Sequence, residues 1–444
     1  MSKFTTKIIV PFLLLCFTAS AFAVQVPLKY AKYPDGSKSF HPYGSIGLNK
    51  TTKPPSGQWK TPRLISEYPV YAFVKIGDKK RLCVLDRQKK NDIFYNRLYF
   101  DANGNRDLTD DPVIDGTFQP TDRNQYCRVD FPSVDTTIEV DGKSLPYSFR
   151  PDVYTSRLNQ LSKKRNIERN IDRYVRFYLR VNCSYSGEFK VNGQSYRIVL
   201  GDRNGNGRFN DRFTFRKYDQ ITRRRPIYGI GDNIFITSGE KIDSFDEQFC
   251  SDLLLVNDRL FEVKISTTEG KLTLTPVTEN LIALNLPMKV DRISLFTEDG
   301  KHCLNMYRPG KEIKIPKGKY RLLKYTVLRK DEQGDMWCLS AGATTESPLI
   351  TVGGRGKSVL KFGEPYVPAI EVMELGGRSS RVLLYFNVEG QGKEYLTDLS
   401  HISGTQTRIP LSEKKDLGHR PKEPTYKITK AGGEVVARGS FEYG

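Results

Sequence analysis

Histidine, tryptophan and methionine are scarce in this chain of 444 residues, which contains four, two and five of them. The histidines are scattered and show neither the H-E-x-x-H pattern nor the paired spacing of a zinc site. No G-x-S-x-G sequence marks a nucleophilic serine. The sequence therefore lacks the common motifs of zinc enzymes and of serine hydrolases, and we expect no catalytic site of either kind.

Long hydrophobic runs are also missing after the N-terminus, so we expect no transmembrane segment. At the N-terminus, Lys3 and Lys7 precede an apolar run over residues 8–17, and Ala21-Phe22-Ala23 follows it. A basic start, a short apolar run and a small-x-small sequence are typical of a secretory signal peptide. We therefore expect cleavage after Ala23 and export to the periplasm, the cell envelope or the medium.

Cysteine is limited to seven residues, and six remain after the expected cleavage. An even number in an oxidising compartment is compatible with disulfides. Proximity along the chain suggests three pairs: Cys83 with Cys127, Cys183 with Cys250, and Cys303 with Cys338. Buried free thiols are the alternative.

Tyrosine, phenylalanine, glycine and proline are abundant instead, and two-residue turn signals separate many short apolar runs. This pattern predicts a mainly β protein. We expect a duplicated β-rich module with calcium-type loops, followed by two immunoglobulin-like β-sandwich domains. The predicted units are a signal peptide (1–23), an extended N-terminal arm (24–66), two β-rich modules (67–151 and 152–280) and two sandwiches (281–363 and 364–444).

One short sequence occurs twice and carries the clearest chemical message. Residues 101–110 read DANGNRDLTD and residues 202–211 read DRNGNGRFND, and each copy follows a strand-like run. Oxygen-bearing side chains stand at positions 1, 3, 5 and 10 of both copies. A hard cation such as Ca²⁺ is bound by carboxylate, amide and backbone carbonyl oxygens at such alternating positions of a tight loop.

These loops resemble the D-x-D-x-D-G calcium loops of the EF-hand and dockerin families, and the chain as a whole resembles secreted bacterial β-rich proteins carrying such loops. The resemblance implies one or two structural Ca²⁺ sites at these loops, with Asp107 and Arg208 contributing their backbone carbonyls at position 7. The implied ligands are Asp101, Asn103, Asn105, Asp107 and Asp110 in the first loop, and Asp202, Asn204, Asn206, Arg208 and Asp211 in the second.

Two departures from the family pattern concern the strength of these sites. Position 12, where an EF-hand has a bidentate glutamate, is Pro112 in one copy and Phe213 in the other. Position 6 is Arg106 in the first copy, whereas Gly207 fits the family's permissive turn. With few carboxylates in each loop, we expect dissociation constants of about 10⁻⁴–10⁻³ M. The alternative is that Asp and Asn only stabilise turns through their own backbone.

The formal net charge of +19 indicates that the partners of this protein are anionic. Basic residues cluster in several runs, among them Arg223, Arg224 and Arg225. In an exported protein such clusters would meet acidic polysaccharide or another extracellular polyanion, and we expect no specific nucleic acid recognition. The preferred interpretation is an exported, non-catalytic calcium-binding protein that acts in binding or in the cell envelope. The alternatives are an extracellular hydrolase of polysaccharide or peptide, and a polyanion-binding adhesin.

Overall fold

A computed structural model gives the structure of this chain. It describes residues 23–35, 41–42, 44–92, 94–120, 126–156, 171, 174–215, 227, 229–239, 242, 246–300, 302–375, 381–402, 408–410 and 423–441. In these residues the protein is mainly β, with several antiparallel sheets. No helix in this part of the chain is long and apolar enough to cross a membrane. The predicted signal sequence before residue 23 lies outside the described residues.

The described residues form thirty-six strands, β1 to β36 in chain order. Strands β1 to β12 are Val24–Pro27, Lys29–Lys32, Ser45–Gly47, Lys50–Thr51, Val70–Ile76, Lys79–Asp86, Arg97–Phe100, Ile114–Asp115, Thr117–Pro120, Tyr126–Asp130, Val134–Val140 and Lys143–Ser156. Strands β13 to β24 are Val175–Val181, Cys183–Val191, Gln194–Gly201, Thr214–Phe215, Gly229–Ile230, Asn233–Thr237, Glu247–Phe249, Leu253–Val256, Arg259–Ser266, Lys271–Pro276, Leu281–Asn285 and Arg292–Thr297. Strands β25 to β36 are Cys303–Tyr307, Glu312–Pro316, Gly318–Lys330, Met336–Gly342, Leu349–Val352, Ser358–Val359, Val367–Leu375, Arg381–Glu389, Tyr395–Ile402, Arg408–Pro410, Thr425–Thr429 and Val435–Ser440.

Two of the two-residue turn signals join the strands of β-hairpins, as a mainly β chain requires. Strands β14 and β15 pair across Asn192-Gly193, and β11 and β12 pair across Asp141-Gly142. All four turn residues have positive φ angles between +50° and +80°, as a two-residue turn between twisted strands requires. Strand β13 alternates buried and less buried residues along its whole length, so it covers the core with one face.

Four short strands near the N-terminus each join a different sheet. Strand β1 pairs with β22 of the largest sheet, and β2 pairs with β14 of a five-stranded sheet. Strand β3 pairs with β13 of a six-stranded sheet, and β4 pairs with β5 of another five-stranded sheet. The segment predicted as an arm, residues 24–66, thus supplies an edge strand to each of these four sheets.

The largest sheet has thirteen strands and connects the two halves of the chain. Its order along the main path is β1-β22-β21-β20-β25-β24-β27-β28-β33-β32-β31. Most neighbours are antiparallel, but β20 and β25 run parallel and form the junction between the earlier and the later strands. This junction places the strands that follow the second Asp/Asn loop beside the C-terminal half.

Buried apolar side chains form two large clusters. The first draws on strands β1 to β22 and contains the aromatic residues Phe100, Phe149, Phe177 and Phe209. The second is built from residues 255–362 and includes Ile293, Tyr325 and Phe362. The second Asp/Asn loop contributes Phe209 to the first cluster, and Ala102 of the first loop packs against the same cluster.

The suggested disulfides are wrong, because each of the six cysteines from Cys83 onward is a buried thiol outside any disulfide. Cys83 lies in β6 and Cys127 in β10, and these strands belong to different sheets. Cys303 in β25 and Cys338 in β28 are separated by two intervening strands of the same sheet. Three strand spacings amount to about 14 Å, whereas a disulfide needs Cα atoms less than about 7 Å apart. The alternative of buried thiols is the correct one.

Candidate functional site

The two Asp/Asn loops, residues 101–110 and 202–211, begin where β7 and β15 end. The apolar residue at position 8 anchors each loop in a core. Leu108 is 1% exposed and packs with Tyr71, Leu82 and other members of a small cluster. Phe209 is equally buried and contacts the Tyr185 ring edge to face, with ring centroids 5.0 Å apart. This anchoring fixes the polar residues of each loop above a packed layer.

The backbones of the two loops have the same shape at positions 4 and 6. Gly104 and Gly205 have φ angles of +74° and +70°. Arg106 and Gly207 have φ angles of +71° and +84°. Arg106 therefore adopts the left-handed conformation that favours glycine, and the departure from the family pattern at this position does not change the path of the chain.

The same backbone hydrogen bonds occur in both loops at positions 1, 3 and 5. In the first loop the Asn105 N–H donates to Oδ1 of Asp101 at 3.1 Å and to Oδ1 of Asn103 at 2.9 Å. In the second loop the Asn206 N–H donates to Oδ1 of Asp202 at 3.2 Å and of Asn204 at 3.0 Å. Such bonds from Asx side chains to the following backbone turn the chain tightly.

The aspartate at position 10 closes both loops. In the second loop the amide nitrogens of Asn204 and Asn206 donate to Oδ2 of Asp211 at 2.7 and 2.6 Å. In the first loop Asn105 donates to Oδ2 of Asp110 at 2.7 Å, and Asn103 lies at 3.4 Å from the same carboxylate. The structure thus brings positions 3, 5 and 10 together around one carboxylate in each copy.

Asp202 is the most enclosed residue of the second loop and is fully buried. Its carboxylate also accepts hydrogen bonds from the N–H groups of Gly205 at 2.8 Å and Gly207 at 2.7 Å. The Tyr147 hydroxyl donates to Oδ2 at 2.9 Å. Burial raises the pKa of Asp202 above that of a free aspartate, although these donors oppose the shift. The charge of this group is therefore costly unless something further compensates it.

Asp232 is a second buried carboxylate beside this loop, and the sequence motif does not include it. Its two oxygens accept the N–H groups of Arg203 at 3.0 Å and Asp211 at 2.8 Å, so it holds both ends of the loop. Burial, and then the neighbouring Asp202 carboxylate, raise the pKa of Asp232. No local signal marks Asp232 or Tyr147, because Tyr147 lies in β12 and Asp232 just before β18, both distant from the loop along the chain.

The first loop has a less complete set of hydrogen bonds. Asp101 is fully buried, yet its Oδ2 has no hydrogen-bond partner among the described residues. Asp111, next to the loop, likewise has an Oδ2 atom without a partner in the described part of the chain. Burial raises the pKa of Asp111 to about 6, and the carboxylates of Asp110 and Asp101 add to the shift. Three carboxylates therefore influence one another here.

Arg81 is a positive charge that acts on Asp111 and Asp101, and no local motif in the sequence marks it. It is 1% exposed, and its guanidinium donates to the backbone oxygens of Asp101 and Ala102 and, at 2.7 Å, of Thr137. These bonds tie the loop to strand β11. A cavity of about 340 Å³, lined in part by Arg81, Asn103 and Glu139, opens beside the loop.

The side chains of Asp107 and Arg208, at position 7, point to partners away from the loop centres. Asp107 pairs with Lys60 at 2.7 Å, and this bond, with further ones from Thr109, lowers the pKa of Asp107 to about 2. The Arg208 guanidinium pairs with Asp78 at 2.9 Å and with Asp141 at 3.0 Å. Only the backbone carbonyls remain as ligand candidates at position 7, as the family resemblance implies.

The remaining predicted site residues are Arg223, Arg224 and Arg225, which lie outside the described residues. Within the described ranges, no group of three or more His, Cys, Asp or Glu side chains is placed to hold a metal ion by itself. A metal site at either loop would therefore combine carboxylate oxygens with amide and backbone oxygens.

Comparisons with protein-family models, with curated proteins and with solved structures find no match to this chain.

Proposed function

We propose that this protein is an exported, non-catalytic calcium-binding protein that acts in binding or in the cell envelope, and that Ca²⁺ at the two Asp/Asn loops stabilises its fold. The proposed architecture is a duplicated β-rich module, one loop in each copy, followed by two immunoglobulin-like sandwiches. The shared hydrogen bonds of the two loops, each entered from an antiparallel strand, support the duplication. The signal sequence supports export.

The observation that carries the proposal is that Oδ2 of the buried Asp101 carboxylate has no hydrogen-bond partner among the described residues. A buried carboxylate needs partners for its oxygens, because an uncompensated buried charge is costly. Asp110 and Asp111 add two more carboxylates, and Arg81 supplies one positive charge. A divalent cation would neutralise this excess and would provide the missing partner for Asp101.

The second loop supports the proposal through the arrangement of its amides. A half-turn of an Asn amide about its own axis exchanges the oxygen and the nitrogen with little change of shape, but it gives up the hydrogen bond that each amide oxygen accepts from the backbone. Ligation of Ca²⁺ by the two oxygens would have to offset that loss. Asn204 and Asn206 could in this way present oxygens, instead of N–H groups, on the side where Asp211 lies. Two amides and a carboxylate on one side, next to the buried Asp202, are a donor set that suits Ca²⁺.

The test is calorimetric titration of the mature chain with Ca²⁺, together with thermal unfolding in EDTA and in millimolar Ca²⁺. Asp110→Asn and Asp211→Asn are the informative variants, because each removes one ligand charge and keeps a hydrogen-bond acceptor for the two amides. Glu332→Gln, in the exposed turn after β27, removes a carboxylate outside both loops and is the matched control.

We expect binding with a dissociation constant of about 10⁻⁴–10⁻³ M. Ca²⁺ at ten times that concentration should stabilise each occupied site by about 1.4 kcal/mol. Each loop variant should lose one site, and the control should keep both. Absence of heat and of any thermal shift in the unmodified chain would reduce both loops to tight turns, as would equal behaviour of the loop variants and the control.

A further inference from the structure

The six-stranded sheet has an outer face that is rich in arginine and tyrosine. Strands β10, β12 and β13 alternate, so that every second residue points away from the core. Their registers place Arg128 opposite Tyr154, Tyr154 opposite Arg176, and Arg150 opposite Arg180. We name this surface the Arg/Tyr face and define it by Arg128, Arg150, Tyr154, Arg176, Tyr178 and Arg180.

A buried carboxylate at the centre of the Arg/Tyr face fixes two of the arginines. Asp152 is 1% exposed, and its oxygens lie 3.3 Å from Nε of Arg128 and 2.5 Å from Nε of Arg180. Asp130 adds a second ion pair with Arg128 at 2.8 Å. Both arginine side chains remain partly exposed, at 33% and 40%. They are therefore held by fixed partners while part of each side chain faces solvent, which reduces the entropy that a ligand must remove.

The tyrosines support the arginines instead of offering open rings. The Arg128 guanidinium lies over the Tyr154 ring at 5.7 Å, and Arg180 donates to the Tyr154 hydroxyl at 3.3 Å. The Tyr178 ring packs on the backbone of Gly47, where an added Cβ would lie 3.3 Å from its Cε1. Nucleic acid bases bind flat protein surfaces by stacking on free aromatic rings. The contacts of both rings favour recognition through guanidinium groups.

We propose that the Arg/Tyr face binds an acidic polysaccharide. Four arginines stand against two aspartates on this face, and Arg150 and Arg176 have no ion-pair partner in the described part of the chain. Guanidinium groups bind carboxylate or sulfate oxygens through two parallel N–H bonds, which lysine cannot do. An extended chain with repeated acidic groups fits a row of arginines across neighbouring strands. The proposal relies on the proposed export for the source of the ligand and is independent of calcium.

The experiment measures binding of the mature chain to polygalacturonate and to dextran sulfate, with neutral dextran as the blank and EDTA present throughout. The test variant is Arg150→Gln/Arg176→Gln, which leaves the ion pairs of Asp152 intact. The matched control is Lys427→Gln/Arg438→Gln, an exposed cross-strand pair in the β35–β36 hairpin that removes the same charge. A third variant replaces Arg223, Arg224 and Arg225 by Gln. Thermal unfolding verifies that every variant is folded.

We expect the test variant to weaken binding to at least one acidic polymer by roughly tenfold at fixed salt, as the loss of two charge-assisted contacts implies. The control pair should change it by less than about twofold, since long-range charge effects are screened at physiological salt. Equal losses in both pairs would mean non-specific attraction and overturn the proposal. A loss of binding confined to the Arg223–Arg225 variant would also overturn it, as would absence of binding to both acidic polymers. The same holds if single-stranded DNA binds more tightly and neither acidic polymer displaces it. Because EDTA is present, the result is separate from the outcome of the calcium titration.

Discussion

Arg106 and Gly207 occupy the same position of the two loops with similar backbone angles, but they differ in what surrounds them. Arg106 is exposed, so it lowers the free energy of unfolding only through the strain of its left-handed backbone conformation. A Cβ at Gly207 would also lie 2.5 Å from Cδ1 of Ile138 and 3.0 Å from the backbone nitrogen of Gly77. We expect Arg106→Gly to raise the free energy of unfolding by up to about 1 kcal/mol, and Gly207→Ala to lower it by more than about 2 kcal/mol. Urea unfolding of both variants tests this.

Gly142→Ala separates the conformational cost from the steric one. Gly142 has a φ angle of +74°, and an added Cβ there meets no atom within 4 Å. Its substitution should therefore cost only the strain of the left-handed conformation, about 1 kcal/mol. If Gly207→Ala lowers the free energy of unfolding by no more than Gly142→Ala does, the atoms around Gly207 can move to accommodate a methyl group. The packing of the second loop would then be looser than the distances indicate.

At the scale of elements, the hairpins were predictable and their assembly was not. The Asn192-Gly193 and Asp141-Gly142 turns carry local signals, because a two-residue turn needs residues that accept positive φ. The pairing of β1 with β22 joins residues about 250 positions apart and leaves no such signal. Asp232 and Tyr147 are also distant from the second loop along the chain, so the sequence could not assign them to it. Positions 1, 3, 5 and 10 lie within the loop motif and could be assigned. Cysteine proximity along the chain was misleading because neighbours in sequence lie on separated strands.

Glu394 accepts hydrogen bonds from several elements of the C-terminal half, and its raised pKa predicts a pH-dependent stability. It is fully buried just before β33, and it accepts hydrogen bonds from Tyr325 Oη at 3.1 Å, from the Gly363 N–H at 2.5 Å and from the Gly392 N–H at 2.9 Å. Burial raises the pKa of Glu394 above 4.5, although these three donors oppose the shift. Below pH 4.5 the folded and unfolded chains both hold the proton. Above it, only the folded chain keeps the proton until its own pKa is reached.

The contribution of Glu394 to the free energy of unfolding should therefore be complete below about pH 4.5 and be lost as the pH rises through the folded pKa. In Glu394→Gln this dependence should disappear, although the amide N–H₂ would meet backbone N–H donors and lower stability by a constant amount. Urea unfolding from pH 4 to 8, with exposed Glu312→Gln as the control, measures the difference. A variant curve parallel to that of the unmodified chain at every pH would contradict the assignment.

At the scale of the whole molecule, the N-terminal segment acts as a connector of sheets. Strands β1 to β4 lie within 28 residues of chain, and each completes the edge of a different sheet. Val26 of β1 is fully buried and also packs against Gly187 of β14, which belongs to another sheet. Stability in one sheet is therefore linked to order in the next through a short covalent path. The C-terminal hairpin β35–β36 is the opposite case, since among the described strands these two pair with each other and with no third strand.

Deletion of residues 24–32 should expose the edges of β22 and β14 and remove the buried side chains of Val26 and Leu28. We expect the free energy of unfolding to fall by at least about 3 kcal/mol, and the truncated chain to associate through its open edges. Deletion of residues 423–444, which contain the exposed β35–β36 hairpin, should change the urea midpoint little. Urea unfolding and light scattering of the two truncated chains make the comparison. Equal urea midpoints for the two truncated chains would mean that strands β1 and β2 contribute little to stability. Each sheet would then be stable through its own core.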